Sequence, residues 1–215
     1  MSVTEAEIEE FRLRLLSWAD GQLREFPWRE ADDPYQVLVA EVLLQQTLAS
    51  KVEPVYAKFL DRYPKPADMV DVEPASLAEL LDPLGFQNIR AEALIENARS
   101  IEEGGMPTDE EGLSELQYVG RYGVNATLCF GYGERRPIVD ANVIRVYNRY
   151  FGLDFENAQD DQAWEFAEGI LPEEDYERYN LALLDFAAAV CTSRAPRCEQ
   201  CIFNDSCSYY LSERE

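Results

Sequence analysis

The stretch Leu116-Gln117-Tyr118-Val119-Gly120 interrupts a helical pattern that resumes at Arg121 and continues to Tyr132. Before it, Thr108 and Glu111 have the spacing of a capping box, which predicts that a short helix begins there. Two helices joined by so tight a turn direct backbone N–H groups and the N-terminus of the second helix outward, where they can bind a phosphate. An ordinary corner between helices is the alternative, and this segment taken alone favours it.

The composition is that of a globular and strongly acidic protein. Of 215 residues, 47% are hydrophobic and 28% are charged, and the net charge is −23. The longest apolar stretch, Leu181 to Val190, is too short to span a bilayer, and the acidic N-terminus lacks the pattern of an export signal. We therefore expect a cytoplasmic protein that does not bind a membrane.

The distribution of charge along the chain indicates which kind of molecule the protein binds. An acidic surface repels nucleic acid, although an acid-rich and lysine-poor composition also suits a cytoplasm of very high salt. Residues 121–149 contain five arginines and two acidic residues, a net charge of +3, which leaves −26 for the rest of the chain. A basic segment in an acidic body indicates a DNA-binding protein adapted to high salt, and a solvated basic helix face is the alternative.

Apolar residues recur at helical spacing through most of the chain. Thr4 and Glu7 form a capping box ahead of an amphipathic helix, and Asp33-Pro34 supplies a cap and a first-turn proline for the next one. The one alternating segment, residues 136–139, is short and contains a proline. The sequence therefore predicts an all-α fold.

Four cysteines, Cys191, Cys198, Cys201 and Cys207, lie within 17 residues near the end of the sequence. A cytoplasmic chain rarely keeps disulfides, so we expect these thiols to bind metal. Their unequal spacing and the lack of histidine suit a [4Fe–4S] cluster, and a zinc site and structural thiols are the alternatives. The fifth cysteine, Cys129, falls in an apolar helix pattern and is expected in the core.

Asp140 stands where the N-cap of a further helix is expected, directly after the apolar residues Ile138 and Val139. Most aspartates at such positions only cap their helix. An aspartate held at the mouth of a cleft can also stabilise a cation, so Asp140 is a candidate catalytic residue.

These motifs occur in the order found in helix–hairpin–helix DNA glycosylases of the endonuclease III superfamily. The chain resembles that family from about Phe26 to Tyr210. The resemblance rests on the hairpin, the cysteine loop and two further segments, Glu41-Val42-Leu43-Leu44-Gln45-Gln46-Thr47 and Val139-Asp140-Ala141-Asn142-Val143.

The resemblance implies a fold, a cofactor and a catalytic residue. It implies two helical domains that flank a cleft, with residues 27–136 as a six-helix domain containing the hairpin. Residues 1–26 and 137–215 then form the iron–sulfur domain. The four cysteines of the loop are expected to bind a [4Fe–4S] cluster, and Asp140 corresponds to the catalytic aspartate of the family.

The residue that opens the second hairpin helix indicates which reaction is catalysed. Family members that also cut the DNA strand use a lysine there, whose amine forms a Schiff base with the sugar. Tyr122 stands at this position, and the lysines of the chain, Lys51, Lys58 and Lys65, are all far upstream. The resemblance thus implies a monofunctional enzyme that removes a base without cutting the strand.

Two branches of the family are similar to this chain. The run Asp140 to Gly152 and the segment Leu184 to Ala187 most resemble mismatch glycosylases that remove thymine or uracil opposite guanine. Glu41 and the segment Gln45 to Thr47 equally resemble adenine glycosylases, which act on adenine opposite guanine or 8-oxoguanine. Adenine glycosylases usually carry a further C-terminal domain, and this sequence stops at Glu215. The thymine/uracil branch is therefore favoured.

The resemblance also assigns the site residues. The catalytic set is Asp140, Glu41 and Tyr122. The DNA-binding set is Gln45, Gln46, Thr47, Tyr118, Val119, Gly120, Arg121, Asn142 and Arg145. One of these departs from the family, which normally has glycine in place of Tyr118. If the turn requires a positive φ, tyrosine costs on the order of 1–3 kcal/mol there.

Two other classes of protein fit part of the pattern. A non-catalytic DNA-binding module is suggested by the departure at Tyr118, and a redox-sensing iron–sulfur protein is suggested by the cysteine loop. The presence of both Asp140 and Glu41 favours the enzyme. We expect it to act as a monomer on double-stranded DNA that contains a mismatched or damaged base.

Overall fold

The computed structural model describes residues 3–212, and all regular structure in that range is helical. None of its helices is both long and apolar enough to cross a bilayer. The predicted all-α fold is confirmed. The α-helices are α1 (Glu5–Trp18), α2 (Pro34–Leu44), α3 (Ala49–Arg62), α4 (Pro74–Leu81), α5 (Gln87–Gly104), α6 (Glu110–Ser114), α7 (Arg121–Ala126), α8 (Ala141–Phe151), α9 (Asp161–Ile170), α10 (Tyr176–Ala189) and α11 (Ser208–Ser212).

The first two helices begin where their local sequence predicts. The hydroxyl of Thr4 accepts a hydrogen bond from the backbone N–H of Glu7 at 3.3 Å, and the carboxylate of Glu7 accepts one from the N–H of Thr4 at 2.7 Å. At α2 the carboxylate of Asp33 accepts from the N–H of Tyr35 at 2.9 Å. Both caps satisfy N–H groups that have no partner inside the helix.

The helices on either side of the hairpin differ from the prediction in detail. The cap predicted at Thr108 is wrong, because Asp109 occupies that position and accepts from the N–H of Gly112 at 2.9 Å. The second helix is regular only to Ala126, after which residues Thr127–Gly131 form a π-helical turn. Such turns widen the helix by one residue and are often found near functional sites.

The chain divides into two compact units, which we call unit 1 (Met1–Arg24 with Arg135–Glu215) and unit 2 (Glu25–Glu134). In unit 2, helices α2 to α5 and α7 surround a core in which Leu43, Val52, Phe59 and Leu128 are fully buried. Burying such side chains contributes roughly 1.5–3 kcal/mol each. The hairpin packs against this core.

One glycine in unit 2 permits a close approach between two helices. A Cβ placed on Gly131, in the π-helical turn, would lie 2.9 Å from the Cα of Pro34, the first residue of α2. Any side chain would therefore separate the turn from α2, the helix that carries Glu41.

Unit 1 is built from both ends of the chain. Its core is rich in aromatic rings, and Phe11 of α1 stacks on Phe203 of the cysteine loop with ring centroids 4.8 Å apart. The end of the first segment is fixed by Arg24, whose guanidinium and backbone N–H both donate to the buried carboxylate of Asp185 on α10. Removing the arginine would take a charged partner away from a buried carboxylate, which is destabilising.

Candidate functional site

The hairpin connects α6 and α7 in unit 2 and has a strained residue at its tip. Tyr118 adopts a left-handed conformation with φ of 60°, whereas Gly120, the N-cap of α7, is extended with φ of −87°. The φ of this turn is therefore positive, the case in which tyrosine costs on the order of 1–3 kcal/mol. Tyr118 and Val119 pack against the unit 2 core, while Gly120 and Arg121 are exposed. Tyr122 is half-buried one residue further along α7.

Glu41 lies in the middle of α2, beside the second hairpin helix. Its side chain is only 8% exposed, and its Cβ is 3.9 Å from the point that a Cβ on Gly123 would occupy. Burial raises the pKa of this carboxyl from 4.5 to about 8, because the charged form loses its hydration. At neutral pH the group is therefore mostly protonated and can donate a hydrogen bond.

The segment Gln45 to Thr47 follows α2 and contacts the hairpin directly. The side-chain amide of Gln45 donates to the carbonyl of Tyr118 at 2.6 Å. Gln46 is exposed and has φ of 52°, a conformation that is uncommon for glutamine. These residues, the hairpin and Glu41 form one group within unit 2.

Two buried residues of α5 hold this group together, and neither is predicted as a site residue from the sequence. Asn97 forms a two-way contact with the hairpin, since its amide donates to the carbonyl of Gln117 at 2.9 Å and its oxygen accepts from the N–H of Gln117 at 2.6 Å. Arg90 binds the segment Gln45 to Thr47. Both face inward on a helix whose periodicity predicts only an apolar face, so no local pattern marks them.

Asp140 caps α8 in unit 1, as predicted. One carboxylate oxygen accepts from the backbone N–H groups of Asn142 at 2.8 Å and Val143 at 2.7 Å, and the other accepts from the side-chain amide of Asn142 at 2.6 Å. The residue remains partly exposed. Three N–H donors thus fix the orientation of a carboxylate that solvent and ligands can still reach.

Two residues assigned to DNA by resemblance also help to hold the Asp140 carboxylate in place. They are Asn142 and Arg145. The guanidinium of Arg145 donates to the side-chain oxygen of Asn142 at 3.0 Å, to the carbonyl of Cys191 at 2.9 Å and to that of Ala187 at 3.1 Å. A chain of hydrogen bonds therefore runs from the Asp140 carboxylate to the first cysteine of the loop.

The basic segment predicted to read DNA is largely engaged within unit 1. Besides Arg145, Arg149 donates to the carbonyls of Thr192 at 2.7 Å and Ser193 at 3.1 Å, and Arg135 donates to the carbonyl of Leu171 at 2.6 Å. These arginines hold backbone carbonyls of the protein. The net charge of a segment could not reveal this, because the partners are distant in sequence.

The four cysteines of the loop line one cavity in unit 1, which is partly open to solvent and walled by aromatic side chains that include Phe186. Burial raises the pKa of the Cys201 thiol to about 11, and the neighbouring thiols add to the rise. Four thiolates in such a place require a bound cation to neutralise them.

Four thiols that line one cavity suit an iron–sulfur cluster, in which each thiolate binds a different iron. The guanidinium of Arg149 lies 3.5 Å from the sulfur of Cys191, and the N–H of Phe203 lies 3.4 Å from that of Cys201.

The chain matches two models of known protein families. Residues 39–172 match the model of the HhH-GPD superfamily base excision DNA repair protein, and residues 191–207 match the iron–sulfur binding domain of endonuclease III. The chain belongs to the HhH-GPD superfamily. It is thus a DNA glycosylase with an iron–sulfur cluster, and its partner is DNA, as the sequence predicts.

Individual relatives within this superfamily carry two kinds of name. The thymine/uracil-DNA glycosylase of Methanothermobacter thermautotrophicus is 37% identical over 91% of each chain. The adenine DNA glycosylase of Mycolicibacterium smegmatis is 33% identical over 88% of this chain and 66% of its own length. The solved structure of a thermostable thymine-DNA glycosylase superposes with a TM-score of 0.92 at 36% identity, covering 98% of this chain and all of the other.

The wild type is expected to lose stability as the pH rises from about 4.5 to 8, and Glu41→Gln is expected to abolish that loss. The folded carboxyl keeps its proton between about pH 4.5 and 8, whereas the unfolded chain releases it, so its contribution falls by about 1.4 kcal/mol per pH unit in that window. That contribution is complete below the unfolded pKa and is lost above the folded one. Denaturant unfolding at about pH 5 and about pH 9 measures the difference. Glu53→Gln, on the exposed side of α3, is the control, and equal pH slopes for wild type and Glu41→Gln would contradict the prediction.

Proposed function

We propose that this DNA glycosylase is monofunctional and removes thymine or uracil opposite guanine. Relatives of both substrate classes match most of the chain in sequence, but a thymine/uracil-DNA glycosylase matches at higher identity over nearly its full length. The feature that carries the proposed chemistry is the carboxylate of Asp140, fixed by three N–H donors and open to a ligand.

In the proposed reaction the bond between the base and C1′ of the sugar breaks, and the base leaves with the electron pair. The sugar becomes cationic, with the character of an oxocarbenium ion. The negative charge of Asp140 stabilises this cation, and its fixed orientation means that little reorganisation is needed as the charge develops. A water molecule then adds to C1′ and loses a proton, and the departing base takes up a proton. An abasic site remains in an intact strand.

Glu41 is proposed to contact the base that is removed. A mismatched base is flipped out of the duplex at lower cost, because its pairing is already weak. With a pKa of about 8, the Glu41 carboxyl carries a proton at neutral pH and can donate it in a hydrogen bond to a carbonyl oxygen of thymine or uracil. Tyr122 is proposed to pack against the same nucleotide. The iron–sulfur cluster, when bound, cross-links the cysteine loop.

The same observation on Glu41 favours a second candidate, adenine glycosylase activity. Removal of adenine is helped by protonation of a ring nitrogen, and a carboxyl that keeps its proton at neutral pH is suited to that task. The 33% identity to an adenine DNA glycosylase gives this candidate independent support.

Base release from end-labelled duplexes tests the proposal. We expect T:G and U:G duplexes to be cleaved only after alkali treatment, because Tyr122 stands where strand-cutting relatives have a lysine. The assay also includes A:G and A:8-oxoguanine duplexes, and it is run at high and at moderate salt because phosphate contacts weaken as salt rises. A matched T:A duplex is the control.

Each outcome of the assay has a distinct meaning. Release from the adenine duplexes alone would replace the first candidate by the second. Cleavage without alkali, or a covalent adduct trapped by borohydride, would contradict the monofunctional assignment. Binding to mismatched duplexes without release of any base would indicate a non-catalytic or redox-sensing module instead.

A further inference from the structure

Three loops of unit 2 share an unusual backbone feature. Each contains one residue other than glycine with a positive φ: Gln46 at 52°, Phe86 at 51° and Tyr118 at 60°. In residues 3–212 a single further residue of this kind, Asp175, occurs. A left-handed conformation costs an ordinary residue roughly 1–2 kcal/mol, and it persists only where the surrounding structure holds it. Strain that is concentrated in three adjoining loops points to a purpose other than stability.

Arg90 is the residue that holds two of these loops. It lies in the first turn of α5 with its side chain completely buried. One terminal nitrogen donates to the carbonyls of Leu84 at 2.9 Å and Gly85 at 2.6 Å. The other donates to the carbonyl of Gln45 and, at 2.8 Å, to the hydroxyl of Thr47. The guanidinium thereby joins the segment that contains Gln46 to the turn that precedes Phe86.

The third loop is connected through Gln45. Its carbonyl accepts from Arg90, and its side-chain amide donates to the carbonyl of Tyr118. All three strained residues are thus adjacent to one hydrogen-bonded network, and Arg90 is its central donor.

The arrangement is poorly suited to stability alone. All four acceptors of Arg90 are neutral oxygens, and within residues 3–212 no carboxylate pairs with its charge. Its Nε atom is buried and has no hydrogen-bond partner among those residues. Apolar side chains of similar volume are often at least as stabilising as buried charges. The geometry of the two loops that Arg90 binds therefore explains better why a guanidinium occupies this position.

The outer side of these loops carries side chains suited to nucleic-acid bases. Leu48, Phe86 and Ile89 are 69%, 56% and 53% exposed, and they are the most exposed large apolar side chains of unit 2. The polar side chain of Gln46 is exposed in the same region. Aromatic and aliphatic side chains at such positions stack on bases or enter between them in many DNA complexes.

We propose that Arg90 is a positioning residue for base excision, which fixes the Gln45–Thr47 segment and the Leu84–Phe86 turn in the strained conformations that meet the DNA. This inference rests on the proposed glycosylase function.

Arg90→Lys tests the proposal with little change in size or charge. Lysine has a single nitrogen, which cannot bridge four acceptors on two loops. The matched control is Arg99→Lys on the same helix, where the arginine is half-exposed and donates to Val70 and Glu96. We expect Arg90→Lys to slow single-turnover base release roughly 10- to 100-fold, because small misplacements near the reacting base are costly. Affinity for undamaged duplex should stay within about twofold, since phosphate contacts persist.

Hydrogen exchange of the DNA-free protein supplies a readout that does not depend on activity. The backbone amides of residues 46–48 and 84–87 are expected to exchange at least about tenfold faster in Arg90→Lys and unchanged in Arg99→Lys. If Arg90→Lys does not fold, Thr47→Val removes the side-chain oxygen of the network. Faster exchange at the opposite turn, residues 84–87, is then expected.

The outcomes separate this proposal from the function on which it rests. Unchanged exchange in both loops would overturn the role of Arg90 even if the wild type releases thymine or uracil. Loss of folding stability with a normal release rate from the folded fraction would also overturn it, because that result describes a purely structural residue. If the wild type releases no base, the function fails, and faster exchange in both loops would still support the positioning of the loops by Arg90.

Discussion

Replacing Asp140 by asparagine is expected to abolish base release while the protein remains folded. The side-chain oxygen of asparagine can still accept from the N–H groups of Asn142 and Val143, so the cap of α8 is kept. The negative charge that would stabilise the sugar cation is lost. Removing one well-placed electrostatic group costs on the order of a hundred- to a thousandfold in rate, and we expect at least that loss here. Single-turnover release from a T:G duplex at saturating enzyme measures it.

A second capping aspartate in unit 1 is the control. Asp160 caps α9 by accepting from the N–H of Gln162 at 2.9 Å, so Asp160→Asn makes the same chemical change at another N-cap. Its release rate should match the wild type. If Asp140→Asn retained activity at the level of Asp160→Asn, Asp140 would only cap its helix, and the proposed reaction would need a different carboxylate.

Replacing Cys201 by alanine is expected to prevent assembly of the cluster and to destabilise unit 1. Cys201 lines the shared cavity and packs against the unit 1 core with Cys191 and Cys207. Without its thiolate the cysteine loop is no longer cross-linked, and loss of a structural metal site ranks among the largest single-residue effects, more than about 4 kcal/mol. Iron and sulfide content, visible absorbance and thermal unfolding measure the result.

The fifth cysteine provides the matched control for that experiment. Cys129 is completely buried in unit 2, within the π-helical turn and far along the chain from the loop. Cys129→Ala should keep a full content of iron, because Cys129 lies outside the cysteine loop. A Cys201→Ala protein with normal iron content would show that other residues hold the cluster.

The sequence predicts the helices and the main chemical groups because both are encoded locally. Capping residues, helical spacing of apolar residues and four closely spaced thiols each fall within a short segment. Asp140 is predicted as a cap from its immediate neighbours, and the structure confirms that cap. Its catalytic role stays a prediction, since it rests on resemblance.

The supporting residues could not be predicted, because their partners are far away in the chain. Arg145 was assigned to DNA, yet its donors are directed to Asn142 and to carbonyls more than forty residues further on, among them that of Cys191. Arg90 and Asn97 look like the polar side of an amphipathic helix until the loops that they bind are known. Long-range hydrogen bonds to backbone carbonyls leave no pattern in the local sequence.

Unit 1 has a consequence for how the chain folds during synthesis. The ribosome makes α1 before unit 2, but the rings that bury Phe11, among them Phe203, emerge only after the whole of unit 2. The ion pair of Arg24 likewise cannot form until Asp185 has been synthesised. Unit 2 is contiguous and can bury its core on the nascent chain, since domains generally fold as units in the order of their synthesis. Helix α1 therefore leaves the exit tunnel before unit 2 but is buried after it. It has to stay in solution until then, and the acidic residues of its first turn favour this.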